Sequence, residues 1–290
     1  LVAEEWVNPP ARLARYVRDD EMQQAFNFDY LCTPWDADAL VTVINNTMTA
    51  FAQVGAPCTW VLSNHDVVRH ASRFGLTETG RGPNGIGPTD PQPNPALGLR
   101  RARAATQLML ALPGSAYLYQ GEELGLPEHT TLPDAVREDP TFTRSGGTEL
   151  GRDGARIPLP WRADAPAFGF SPTGETWLPQ PDDWRTLAVD VQADDPHSTL
   201  AFYRELLTWR KQLRLGEATA QVTVVKDGVI QVELTTPDGQ KVRCFAAIDA
   251  NFVLPAGWQV DIASAALERR KDCWLIPANT CVWARPQLHA

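Results

Sequence analysis

Cys58–Asp66 reads CTWVLSNHD, and the fold turns on whether its first half is a strand. CTWVL is short, apolar and rich in β-formers, and it follows a turn from Gly55 to Pro57, so it predicts a buried strand. The strand runs straight into the polar cluster Ser63-Asn64-His65-Asp66. In α/β barrels, site residues sit where the parallel strands end at their C-terminal side. The bland use of the same residues is capping by Asn64 and Asp66, with His65 as a satisfied structural histidine.

Working outward, strand-like and helix-like runs alternate through the first 120 residues. Leu1–Ala3 reads as the stub of a strand, and AFNFDY, Ala25–Tyr30, as an alternating strand. Asp36–Phe51 predicts a helix with Leu40, Val43, Ile44, Thr47 and Met48 on its apolar face. A Gly/Pro-rich loop, Thr77–Pro95, precedes a second helix whose face carries Ala102, Ala105, Met109 and Leu112, stopped by Pro113-Gly114. SAYLY, Ser115–Tyr119, predicts another strand. Such alternation implies parallel strands joined by crossover helices.

The pattern then changes. Gln120–His197 is long, rich in Gly and Pro and weakly periodic, as functional loops are. Ser198–Leu213 returns to helical periodicity. From Ala218 the period becomes 2, with two hairpins turning at Asp-Gly pairs and further strands in CWLIP and TCVWARP. The expected division is 1–215, an α/β unit, and 216–290, a small antiparallel β domain.

Bulk properties narrow the function. The chain has 290 residues and a formal net charge of −9, which argues against nucleic acid or an anionic membrane as partner. Five cysteines at wide spacings with no CxxC pair predict free thiols in a reducing, cytoplasmic setting. No cluster has metal-ligand spacing, and no cofactor motif occurs, so no metal and no cofactor are expected. Glu4, in LVAEEWV, has the same placement as Asp66, just after an apolar strand stub. Two carboxylates at the ends of separate strands, with an imidazole beside one, suit sugar acetal chemistry: one donates a proton, the other faces a developing oxocarbenium charge.

LVAEEWV, VLSNHDVVRHASRFG and YLYQGEELGLPE, in this order, resemble the characteristic segments of the α-amylase superfamily of retaining glycoside hydrolases. SGGTELGRDGARIPLPW resembles the α-glucosidase and oligo-1,6-glucosidase branch, in its actinobacterial form. The resemblance runs from Leu1 to about Leu213 and implies strands 5–8, the C-terminal half of a (β/α)8 TIM barrel, followed by the β domain. It also implies roles. Glu4 matches the general acid/base after strand 5, and Asp66 the carboxylate that stabilises the transition state after strand 7. His65 and Arg156 match groups that contact the glucose, with Asn64 and Arg69 orienting them. Arg152-Asp153 is expected as a structural ion pair near Arg156.

One departure stands beside the match. The family's nucleophile lies in a Gly-Phe-Arg-x-Asp type segment after strand 4, and the 290 residues contain no such segment. The expectation is therefore the C-terminal part of a longer enzyme acting on small α-glucosides, with the barrel's first half as covalent partner and no activity alone. The alternatives are a transglycosylase or isomerase such as a trehalose synthase, and a non-catalytic amylase-like binding module.

Overall fold

The computed structural model describes residues 1–287. The chain forms two compact units. Among the described residues, the first comprises Leu1–Leu62, Arg103–Tyr117 and 206–287; the second comprises Ser63–Ala102 and Leu118–Glu205. Among the described residues, no helix is long and apolar enough to cross a membrane.

The first unit holds two short parallel pairs. β1, Val2–Ala3, pairs with β2, Gln24–Ala25; β3, Thr59–Val61, pairs with β4, Ser115–Tyr117. Every residue of β3 is buried, as CTWVL predicts. Trp60 is wholly buried, and its indole N–H donates to the Pro113 carbonyl at 2.7 Å. That bond is what allows an indole to sit in a core without an unmet donor.

AFNFDY departs from expectation. Only Ala25 is in a strand, and Phe28–Cys32 is a helical turn. The cause is local. The Asn27 side chain accepts from the Tyr30 N–H at 3.0 Å, which caps the turn and overrides the alternating pattern. The other helices form where periodicity places them. Ala37–Ala52 is capped by Asp36, whose carboxylate accepts from the Ala39 N–H at 2.8 Å; Pro95–Ala111 and Thr199–Gln212 follow later.

The remaining strands of this unit are antiparallel. β5 (Thr219–Lys226), β6 (Val229–Thr235), β7 (Lys241–Ala247), β9 (Trp258–Ala263) and β12 (Thr280–Pro286) form a five-stranded sheet in the order β5-β6-β7-β12-β9. β8 (Phe252–Leu254), β10 (Glu268–Arg270) and β11 (Cys273–Ile276) make a smaller sheet in the order β10-β11-β8. The two Asp-Gly hairpins appear as read; β8 and β10, three residues each, are too short to show a period, while β9, WQVDIA, does alternate apolar and polar residues and was missed. The five-stranded sheet is tied to the α/β portion of its own unit. Asn45 donates to the Val222 carbonyl at 3.0 Å, Gln107 to Ile262 at 3.0 Å and the Trp283 indole to Gln107 at 3.2 Å.

The second unit has little regular structure. Its core is Leu124, Leu126, Leu132, Ile157, Leu159, Phe168, Leu178, Trp184 and Leu200. Phe168 and Trp184 are buried and thus hold a long loop down, whereas Trp161 and Trp177 are exposed.

Gly114 carries the turn into β4. Its φ is +99°, and a Cβ there would meet the Cys58 carbonyl oxygen at 2.3 Å. Gly114→Ala should therefore lower stability by about 2 kcal/mol or more. Urea denaturation checks it, and an unchanged midpoint would show that the turn absorbs the methyl group.

Candidate active site

Of the six candidate residues, Glu4 belongs to the first unit and the other five to the second. Glu4 directly follows β1, and its side chain is exposed. Trp6, two residues on, stacks on Phe28 with ring centroids 4.3 Å apart.

In the second unit the loop after β3 carries Asn64, His65 and Asp66. The Asn64 side chain accepts from the Asp66 N–H at 2.9 Å, which fixes the loop in an Asx turn. Asp66 Oδ1 is the focus. It accepts from Arg152 Nη1 at 2.8 Å and from Arg156 Nη2 at 3.0 Å, and lies 3.5 Å from His65 Nε2. Arg156 Nε also donates to the His65 carbonyl at 2.9 Å, so this guanidinium grips the loop and its carboxylate together. All these contacts fall on Oδ1, and Oδ2 takes none of them. The side chains of Asp66 and Arg156 are each 27 % exposed, open enough for a ligand to touch them.

Sequence reasoning missed the next partner. Asp139, whose carboxylate is fully buried, accepts from Arg152 Nε and from the Arg152 backbone N–H. The Arg152 hydrogen bond holds its carboxyl far below the usual range, and the Thr141 and Arg152 N–H groups help against the cost of burial. Arg152 is therefore a bridge between Asp139 and Asp66. The expected Arg152-Asp153 ion pair is corrected accordingly. Asp153 instead accepts from the N–H groups of Glu138 and Asp139, both at 2.9 Å. The sequence signal for Asp139 was the Asp-Pro pair at 139–140, where Asp139 caps a short helical turn.

Arg69 is placed differently from the other candidates. It is 2 % exposed, and its hydrogen bonds run to Glu128 and Gln120. Its backbone N–H donates to Glu128 Oε2 at 3.0 Å, and Nη1 to the Gln120 carbonyl at 2.8 Å. Its guanidinium lies 4.9 Å from the Tyr119 ring centroid. Arg69 thus belongs to the foundation of the loop, with His70, Glu122 and Glu128 around it. Ser63 Oγ accepts from the His70 N–H and meets His70 Nδ1, both at 3.1 Å, which closes the loop at its two ends. Glu122 Oε2 lies 4.0 Å from His70 Nε2 and has no hydrogen-bond partner among the described residues.

The sequence matches the family described as "Alpha amylase, catalytic domain" over residues 12–217. The chain belongs to this family. It is 32 % identical over 216 residues to Maltase A1 of Drosophila melanogaster, covering 71 % of this chain and 32 % of that protein. It is 33 % identical over 192 residues to a probable alpha-glucosidase of Rhizobium meliloti, covering 66 % and 31 %. The chain thus spans about a third of the length of these relatives. Among solved structures, the alpha-glucosyl transfer enzyme XgtA superposes with a TM-score of 0.79 at 28 % identity, over 98 % of this chain and 50 % of that one. The trehalose-6-phosphate hydrolase of Bacillus licheniformis gives 0.73 at 19 %, which speaks for the fold alone. An α-amylase-type fold with a small antiparallel sheet domain is therefore established; the parallel strands described here form two separate pairs, β1-β2 and β3-β4.

The buried groups under the family's characteristic loop set a pH dependence. Burial raises Glu122 to about 8 and Glu128 to about 7, and lowers His70 to about 3. A raised carboxyl holds a proton that the unfolded chain has already lost, so its stability contribution disappears as pH rises through the folded value. A lowered histidine refuses a proton that the unfolded chain binds, so stability falls as pH drops from 6.5 towards 3. Stability should therefore decline between about pH 6 and pH 8, and Glu122→Gln should flatten that decline. Denaturation midpoints across pH decide it; a midpoint that climbs from 6 to 8 would contradict the assignment.

Proposed function

We propose that this chain works as part of a retaining α-glucosidase-type glycoside hydrolase that releases glucose from short α-glucosides. The observation that carries the reading is Asp66, gripped through one oxygen by two arginines, with His65 Nε2 3.5 Å from the same oxygen, which leaves the other oxygen for a ligand. A retaining glycosidase passes through an oxocarbenium-like transition state, and hydrogen bonds from sugar hydroxyls to a fixed carboxylate strengthen as that charge develops. Here Arg152 and Arg156 fix the carboxylate before any ligand arrives, so little reorganisation is left for the reaction.

The roles follow. Glu4 is the general acid/base, Asp66 the carboxylate that stabilises the transition state, and His65 and Arg156 contact the glucose. Asn64 shapes the loop through its Asx turn, and Arg69 supports it from below. The relatives named maltase and alpha-glucosidase support the substrate class. The actinobacterial oligo-1,6-glucosidase branch is the finer reading, supported by SGGTELGRDGARIPLPW.

The nucleophile is the remaining requirement. A retaining mechanism needs two carboxyl groups about 5–5.5 Å apart, one as acid/base and one as nucleophile. We take the chain to be the C-terminal part of the barrel, completed by a covalently joined first half that supplies the aspartate. The coverage of the relatives, about a third to a half, supports this. A second reading keeps the glucosyl-enzyme and changes the acceptor from water to a sugar; the superposition on an alpha-glucosyl transfer enzyme favours it.

Residues 1–290 alone should release no p-nitrophenol from p-nitrophenyl α-glucoside. In the chain extended upstream through the nucleophile segment, Asp66→Asn should lower kcat/KM by three orders of magnitude or thereabouts, as loss of one member of a catalytic unit does (~10³). Turnover by residues 1–290 that vanishes in Glu4→Gln would overturn the split-barrel reading. Sugar products at high substrate concentration would select transfer over hydrolysis.

A further inference from the structure

Five cysteines are present, and two of them meet. Cys244 on β7 and Cys281 on β12 place their sulfurs 3.3 Å apart, and both side chains are wholly buried. β7 and β12 are adjacent and antiparallel; Cys244 stands opposite Trp283, and Cys281 opposite Ala246. The two cysteines are therefore diagonal neighbours on one face of the sheet, since residues two apart on a strand share a face. A disulfide has its sulfurs about 2.0 Å apart, so closing the bond requires a further approach of about 1.3 Å. Cys58 is buried, and Cys32 and Cys273 are half-buried.

We propose that Cys244 and Cys281 form an oxidisable dithiol, closed by hydrogen peroxide into a disulfide that staples β7 to β12. The step balances. One sulfur attacks a peroxide oxygen; the S–O bond forms, the O–O bond breaks, and the leaving hydroxide takes the thiol proton as water. The second sulfur then attacks the sulfenic sulfur; the S–S bond forms, the S–O bond breaks, and a second water leaves. Two thiols lose two electrons and two protons, and the peroxide is reduced to two waters.

The surroundings set the rate. Burial first, and the neighbouring Cys244 second, push the Cys281 thiol far above its ordinary range, so little thiolate is present in the closed sheet. Oxidation then follows opening of the strand pair. Once formed, the bond encloses β8 to β11 and restricts the unfolded chain, the general way a disulfide stabilises. In the reduced form the two buried thiols act as small apolar groups that fill the sheet face.

The test is hydrogen peroxide treatment of residues 1–290, followed by alkylation in denaturant and mass spectrometry. The expected result is a loss of two hydrogens, two thiols that alkylate only after dithiothreitol, and a raised urea midpoint that dithiothreitol reverses. Trypsin places Cys244 on the peptide beginning at that residue and both Cys273 and Cys281 on the peptide beginning at Asp272, so the Cys273→Ser chain assigns the bond. In Cys281→Ala the two-hydrogen loss and the midpoint rise should both disappear; if that variant does not fold, the peptide map of the Cys273→Ser chain decides alone. Five alkylatable thiols after peroxide, oxygen adducts in place of the bond, or a linkage that involves Cys32, Cys58 or Cys273 would each overturn the proposal.

Discussion

The arrangement around Asp66 depends on a carboxylate that never meets solvent. Asp139 is fully buried and would be costly without a cation; Arg152 supplies it and then has a second face to offer. That face meets Asp66 Oδ1 at 2.8 Å. A side chain on a loop after a short strand would ordinarily sample several rotamers. Here it cannot, because its oxygen is held by a guanidinium that is itself locked by a buried anion. Arg156 adds a second grip on the same oxygen and on the loop's own backbone. The pair Asp139–Arg152 is thus the constraint from which the orientation of Asp66 follows.

The cluster as a whole does more than its pairwise energies suggest. Exposed ion pairs contribute about 0–1 kcal/mol each, and a half-open Arg156–Asp66 contact alone would count for little. Its weight lies in position. Two positive groups and one histidine converge on one carboxylate oxygen, so the second oxygen is aimed by geometry and not by chance. A site that must stabilise charge as it develops gains from groups that are already in place.

How much of this was legible in the sequence depended on sequence distance. Local signals read well: the buried strand CTWVL, the helix after Asp36 and the Asp-Gly hairpins all rest on neighbours within a few residues. AFNFDY failed because a single side-chain cap, Asn27 to Tyr30, competes with the alternation that a strand would use. The candidates on SNHD came from their segment and Arg156 from the resemblance, and the structure brings Arg156 against Asp66. Asp139 was not legible, because its meaning lies in partners: it stands 13 positions before Arg152, and Arg152 stands 86 positions after Asp66. No periodicity encodes such a contact. Arg152-Asp153 looked like a pair because the two are adjacent, yet Asp153 turns to the backbone of 138 and 139.

The two loops that meet at Asp66 also need a common reference, and Glu128-His129 provides it. Glu128 accepts from the Arg69 N–H and its own N–H donates to Ser72 Oγ, which ties it to the segment that continues from Asp66. The next residue, His129, donates its N–H to the Gly154 carbonyl at 3.1 Å, which ties the same strap to the turn between Arg152 and Arg156. Gly154 has no room for a side chain: a Cβ there would stand 2.4 Å from Glu128 Oε1. Glycine is used at this point for closeness, not for a special backbone angle. The strap therefore brings the carboxylate's loop and the arginines' loop to a fixed separation, so that the short contacts on Asp66 Oδ1 are the consequence of packing behind the site as well as of charge at its surface.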